Sequence, residues 1–337
     1  MRRLHDAGFH VLADKPWLAG PEGLDDLRHT LAGGPLAIEI MTGRHEITSV
    51  LTRKLVADPD VFGEFATSPD NAPAIEIASV HHLEKTVNGA PLRRPPWFFD
   101  VRVQGDGIAD IPTHMVDQVQ RLIATAGSRF PGSPDATLEL LSARRSATRV
   151  PLDLFSRVTG EREFPAEIRG PVSGSELSYY GNAELRFRLS GVPVALDTRW
   201  ELSIPAGGGD AHRIIIRGTR SEIRAEQGPS TGHKRRLTIW RRGDADALRA
   251  ALDRAVADWQ NAHPGVAAES VGPGWEIRVP DGLDTGHESH FPLVLADFLT
   301  LVERGSAPPA LTADTLAKYS LLAQASTEAR RAERDRA

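Results

Sequence analysis

Short apolar runs alternate with helical patterns over the first seventy residues or so. The stretch GFHVLADKPW, residues 8–17, predicts a buried strand over 9–13 that delivers Asp14, Lys15 and Pro16 at its C-terminal end. GPEGLDDLRHTLAGG follows, with Leu24, Leu27 and Leu31 at helical spacing and Gly33-Gly34 as a stop. PLAIEIMTG reads as a second apolar strand. EITSVLTRKLVADPDVFG then predicts a helix with Ile47, Val50, Leu51 and Leu55 on one face. Strand, helix and strand with short connections predict a parallel βαβ unit.

From about residue 72 a period of two takes over. PAIEIASVHHL, WFFDVRVQ, TLELLSARRSATRV, AELRFRLSGVPVALDTRWELSI, HRIIIRGTRSEIRAEQG and RRLTIWRRG all alternate, and Gly, Pro, Asn and Asp punctuate them. That is the pattern of antiparallel strands in a half-exposed sheet. Helices are expected at IPTHMVDQVQRLIATAG, DADALRAALDRAVADWQNAHPG, HFPLVLADFLTLVERG and from TADTLAKYSLLAQ onward. The organisation is α/β followed by α+β: residues 1–71 a small parallel unit, 72–325 a larger domain with a mainly antiparallel open sheet, and 326–337 a charged, frayed tail.

Composition narrows the function classes. The chain has 337 residues, 40 basic against 45 acidic, for a net charge of -5. That balance argues against a nucleic-acid or anionic-membrane partner recognised by bulk charge. There is no cysteine, which excludes disulfides, thiolate catalysis and cysteine-ligated zinc. No apolar run approaches the ~20 residues needed to span a bilayer. Asp6 and His10 interrupt any apolar core of a signal peptide, so a soluble, cytoplasmic protein is expected.

Three groups of residues carry candidate chemistry. Proline after Lys15 biases that residue towards an extended conformation, which holds its ammonium at the mouth of the first strand; a plain surface lysine is the alternative. In GDGIADIPTHMVDQVQ, Asp110, His114 and Asp117 are spaced to share one helical face. An acid beside an imidazole fixes its tautomer and raises its basicity, as a general base requires. Asp110 equally suits an N-cap and His114 a semi-buried structural histidine. GDGIAD mimics a dinucleotide fingerprint but lacks the third glycine. His287 and His290 are spaced as metal ligands might be, but no partner carboxylate pattern accompanies them, so no metal is expected. HKRRLTIWRR reads as a solvated sheet face.

These pieces occur in the order of one known family. GFHVLADKPW resembles the G-x-x-V-x-x-E-K-P signature of the glucose–fructose oxidoreductase and inositol dehydrogenase (Gfo/Idh/MocA) family, with Asp14 for Glu. GDGIADIPTHMVD resembles its D-x-x-x-H-x-x-D segment, and IIIRGTRSEIRAEQG its G-T-x-G strands, with Ser221 where Gly is common. HFPLVLADFLTLVERGSAPP resembles its closing helix. The wording RRPPWFFDVRVQGDGIADIPTHMVD is similar to a subgroup of oxidoreductases with a distinctive C-terminal domain. The resemblance runs from about residue 4 to 325.

The resemblance implies a Rossmann-type nucleotide domain, here truncated. The strand, Gly-rich turn and helix that cradle the pyrophosphate are not in the sequence, and on the order of 80–100 residues would supply them. It implies NAD or NADP as cofactor and a sugar, cyclitol or polyol as substrate. Lys15 is then expected beside the nicotinamide, His114 as general base and Asp110 as its support. Asp14 and Pro16 would shape the cofactor side, and Thr42 and Arg44 would line the same crevice. Trp97, Asp117, Tyr179, Tyr180 and His290 are the expected substrate wall, and the open sheet a homo-oligomer interface. Two rivals remain: a non-catalytic remnant that binds a sugar or a sister subunit, and a relative that uses NAD only transiently.

Overall fold

The computed structural model describes residues 2–66, 72–87, 89–126, 138–168 and 170–335. A short helix α1 (Arg2–Asp6) precedes β1 (Val11–Ala13), α2 (Leu24–Leu31) and β2 (Ala37–Glu39). β1 and β2 pair in parallel, with Val11 opposite Ala37 and Ala13 opposite Glu39, so the expected βαβ unit forms. The strand is shorter than its apolar pattern suggested: Phe9 lies outside it and is 60% exposed. α3 (Ile47–Ala57) follows a one-turn 3-10 segment at Thr42–Arg44. Glu46 caps α3, accepting from Thr48 N and Ser49 N at 2.7 Å each.

The rest of the chain is one large sheet with helices laid against it. β3 (Ile75–Glu84) and a small hairpin, β4 (Thr86–Val87) with β5 (Ala90–Pro91), lead to α4 (Ile111–Thr125). Then come β6 (Leu138–Pro151), α5 (Leu152–Thr159), β7 (Val172–Ser173), β8 (Glu176–Leu189), β9 (Val192–Ser203), β10 (Ala211–Arg217), β11 (Ser221–Gln227) and β12 (Arg236–Arg241). α6 (Ala245–Trp259), β13 (Ala267–Val271), β14 (Gly274–Arg278), α7 (His290–Arg304) and α8 (Pro309–Arg334) complete it. The strand order is β13-β14-β12-β11-β10-β3-β9-β8-β6, with β7 on β8. Every neighbouring pair is antiparallel except β3 with β9, where Ile75 lies opposite Val194.

Alternation explains which face is covered. Leu177, Tyr179, Ala183, Leu185 and Phe187 of β8 are buried on one side, and Val194 and Leu196 of β9 join them. Against that side lie Met115, Val116 and Val119 of α4, Leu321, Leu322 and Ala325 of α8, and Leu51 and Leu55 of α3. A second apolar cluster at one end gathers Phe99, Phe155, Tyr179 and Trp200. The other face carries rows of charge, with Arg199 2.7 Å from Glu184 and Arg217 2.8 Å from Glu76.

Two sequence readings are corrected. WFFDVRVQ is not a strand: Pro95 and Pro96 open a 3-10 turn over Pro96–Phe99. The Asp100 carboxylate then accepts from Arg102 N at 2.9 Å and closes a turn. The residues after 325 are not a free tail, since α8 carries them to Arg334 with Ser326 and Ala329 buried. The β13–β14 hairpin and α5 were not anticipated. Their segments are short and carry no clear period.

Asp106 ties the tail to the sheet. Its side chain is almost fully buried, and Oδ2 lies 3.0 Å from Arg145 Nη1 of β6, 3.1 Å from Ser326 Oγ and 3.3 Å from Arg330 of α8. Asp106→Ala strips two arginines of a shared acceptor in a poorly solvated place. Urea denaturation should show a loss of about 3 kcal/mol. A loss under about 1 kcal/mol would mean that this cluster is only decoration.

Candidate active site

The C-terminal mouths of β1 and β2 open towards the N-terminal half of α4. After β1 come Asp14, Lys15 and Pro16, with a cis Lys15–Pro16 peptide bond. Asp14 is exposed, and its Oδ1 accepts from Lys15 N at 2.8 Å, a local turn bond. Lys15 crosses to Asp110, and the two form an ion pair whose carboxylate is almost fully buried. Asp110 occupies the N-cap position of α4 without making a capping bond. The capping reading of this residue is therefore replaced by the lysine pair.

Glycine makes this placement possible. A Cβ on Gly107 would stand 2.4 Å from the carbonyl oxygen of Gly181, so only glycine lets the loop lie against β8. Gly107 N donates to Tyr180 O at 2.7 Å. The GDGIAD run thus serves as a close-packing loop that aims the start of α4.

His114 and Asp117 project from α4 into a cavity of about 330 Å³. Thr42, Arg44, Arg53, Arg121, His212, Arg235, His287 and His290 share its wall. Nδ1 of His114 lies 3.2 Å from Met41 Sδ. Burial, then the charge of Lys15, pushes the His114 imidazole down to about 3, so it is neutral over the ordinary pH range. Arg44 grips Asp117 with two bonds, Nε to Oδ2 at 3.0 Å and Nη2 to Oδ1 at 2.5 Å. Burial alone would raise the Asp117 carboxyl, but Arg44 and Lys318 outweigh it and hold it well below the usual range. The Thr42 hydroxyl lies 3.1 Å from Nε2 of His287.

Of the residues singled out in the sequence, Thr42, Arg44, His114, Asp117 and His290 meet at this cavity. Lys15 and Asp110 are not in its wall, though both act on His114 through their charges. Three expected wall residues lie elsewhere. Tyr179 is packed among Phe98, Phe99 and Trp200. Tyr180 lies under Arg145 at 4.6 Å and bonds Glu333 of α8, away from the cavity. Trp97 is 53% exposed on the 3-10 turn. The register shift in the β6–β8 pair between Ser146 and Thr148 falls at the tyrosines and interrupts the strand's period of two.

Several wall residues were missed. Arg121 is one turn beyond Asp117 on the same face, so extending the spacing that found His114 would have reached it. Arg53, His212 and Arg235 come from other elements and carry no local signal. Nor did sequence suggest Lys318, 1% exposed in α8, which reaches Glu39 of β2 at 2.5 Å.

Comparison with known proteins supplies the wider frame. The family model described as "Putative oxidoreductase C terminal domain" matches residues 51–330. A crystal structure of a "putative oxidoreductase" from Parabacteroides merdae is 32% identical, with a TM-score of 0.92, covering 98% of this chain and 76% of that one. Levoglucosan dehydrogenase in complex with NADH and L-sorbose is 14% identical, with a TM-score of 0.59 over 98% of this chain and 74% of that one. GenD2 from gentamicin A biosynthesis, in complex with NAD, is 13% identical, with a TM-score of 0.56 over 98% and 72%. At those identities the last two share the fold. No curated protein matches.

The buried imidazole has a measurable consequence. His114 takes its proton near pH 3 in the fold but near the ordinary imidazole value of 6.5 when unfolded. Between those limits the unfolded chain binds the extra proton, so stability falls as pH drops through about 6.5. His114→Gln removes that linkage. Wild type should lose stability relative to the variant in urea titrations between about pH 7 and pH 4. Parallel curves would show an imidazole that titrates normally.

Proposed function

The chain belongs to the family described as "Putative oxidoreductase C terminal domain", and on that premise we propose that it serves nicotinamide-dependent oxidation of a sugar, cyclitol or polyol hydroxyl. The observation that carries this reading is the Lys15–Asp110 pair at the mouth of β1, set beside a neutral His114. The parts fit the nicotinamide end of NAD or NADP: an ammonium at a strand's C-terminal mouth, and the Thr42 hydroxyl at the next strand's. The bound cofactor supplies the hydride acceptor.

What this chain's own residues do follows from their chemistry. Asp110 anchors the Lys15 ammonium, which is free to hydrogen-bond the reacting oxygen. His114, with Nδ1 against Met41 Sδ, offers Nε2 as acceptor for the hydroxyl proton. Burial and Lys15 lower its basicity, and Asp110 raises it, in that order of weight. Asp117 is committed to Arg44 and positions that guanidinium. A second reading, binding without turnover, is favoured by one observation: the loop between β1 and α2, DKPWLAGPEG, has no G-x-G-x-x-G.

Titrating NADH and NADPH into the protein, followed by nicotinamide fluorescence, separates the two. Micromolar binding that weakens at least about tenfold in Lys15→Ala is expected, a charge-assisted contact being worth about that much. In a sugar and polyol panel, His114→Ala should lower kcat by about 100-fold or more while leaving NADH affinity intact. No binding up to millimolar cofactor would overturn the oxidoreductase reading and leave the binding-only one.

A further inference from the structure

Four guanidinium groups share the cavity wall, and two of them are incompletely partnered. Arg44, Arg53, Arg121 and Arg235 all line it. Arg44 is engaged by Asp117, and Arg235 by Glu46 at 2.9 Å. Glu226, the remaining acid of the wall, sits opposite Arg236, whose guanidinium is held by Glu276.

Arg121 and Arg53 are served less well. Asp314 lies 3.3 Å from Arg121 Nη2 but makes no hydrogen bond to it, and Nε and Nη2 of Arg121 are buried donors without an acceptor. Arg53 donates through Nη2 to a neutral group, the Arg44 carbonyl, at 2.6 Å. Among the described residues no carboxylate pairs with it. Burial disfavours the charged form of both, and a like charge adds to this, Arg121 acting on Arg53 and Arg44 on Arg121. Buried donors without acceptors cost free energy that a bound anion relieves.

We propose that the cavity takes a sugar acid, a uronate or aldonate, whose single carboxylate is held between Arg53 and Arg121. The proposal deepens the reading of the same site given above and rests on it for the sugar. Asp314 already stands beside Arg121, and Arg53 has no carboxylate among the described residues, so the two together suit one carboxylate rather than two negative charges. A dianionic phosphate would bring surplus negative charge beside Asp117, Glu46 and Asp314. Burial pushes His212 down to about 4, so this wall residue adds no charge.

Position on the helix adds a regiochemical consequence. His114 and Arg121 share one face of α4, two turns apart, roughly 10 Å along the axis. The carboxylate and the hydroxyl presented to His114 therefore belong to opposite ends of the sugar.

The test is isothermal titration calorimetry with D-glucuronate, D-galacturonate and D-gluconate. The two uronates are compared with their methyl esters, gluconate with D-glucitol, and D-glucose 6-phosphate serves as the dianion. At least one acid should bind at least about tenfold more tightly than its neutral twin. Arg53→Gln and Arg121→Gln should each cost about tenfold for that acid and under about twofold for the twin, with melting curves near wild type. If one variant fails to fold, the other decides. Acids no tighter than their twins, a phosphate ester tighter than every acid, or folded variants that bind the acid normally would overturn the proposal. Its failure differs from failure of the oxidoreductase reading. Neutral sugars oxidised without preference would sink this proposal alone. Tight acid binding with neither cofactor binding nor turnover would sink only the other.

Discussion

A carboxylate with almost no contact with water sets the geometry of the site. Glu39 ends β2 at 5% exposure, and burial pushes its carboxyl up while Lys318 opposes that shift. Lys318 Nζ meets one oxygen at 2.5 Å, and the Tyr319 hydroxyl donates to the other. An isolated charge here would be prohibitive, so the two ions and the phenol stand or fall together. The cluster pins α8 to β2. It also fixes the loop that follows Lys15, because Trp17 N donates to the Tyr319 oxygen at 2.9 Å and the two rings stack, 7° from parallel. Lys318 further lies 3.8 Å from Asp117 of α4. One buried pair thus registers the three elements that carry Lys15, Arg44 and His114.

Around that anchor the site sorts its charges. Asp110 holds Lys15, Asp117 holds Arg44, and His114 sits between the two pairs without a charge of its own. Such an arrangement keeps the imidazole available as an acceptor, because both carboxylates near it are occupied by stronger cations.

The chain's local grammar carried much of this. The period of two in AELRFRLSGVPVALDTRW locates β8 and β9, and the spacing of Asp110, His114 and Asp117 puts them on one face of α4. What local pattern omits is parity and partnership. Tyr179 and Tyr180 look alike in sequence, yet one fills the core and the other meets Arg145, because a register shift in the β6–β8 pair falls at them. Lys318 within TLAKYSLL reads as a solvated lysine until Glu39, far away in the chain, is brought against it. WFFDVRVQ alternates correctly for a strand, but two prolines and an aspartate turn it aside.

The parallel β3–β9 pair bears on how the chain reaches this fold. β3 is central in the large sheet, yet Ile75 pairs with Val194 on one side and Ile216 on the other. Neither neighbour is close in sequence, so closing those loops costs entropy before any pairing enthalpy is gained. On a ribosome β3 emerges with no strand of the large sheet to pair with, and it waits while β8 and β9 meet as a hairpin and β6 pairs with β8. The middle of the sheet is therefore laid last, and its edge-first assembly makes β3 the segment that depends most on being shielded during synthesis.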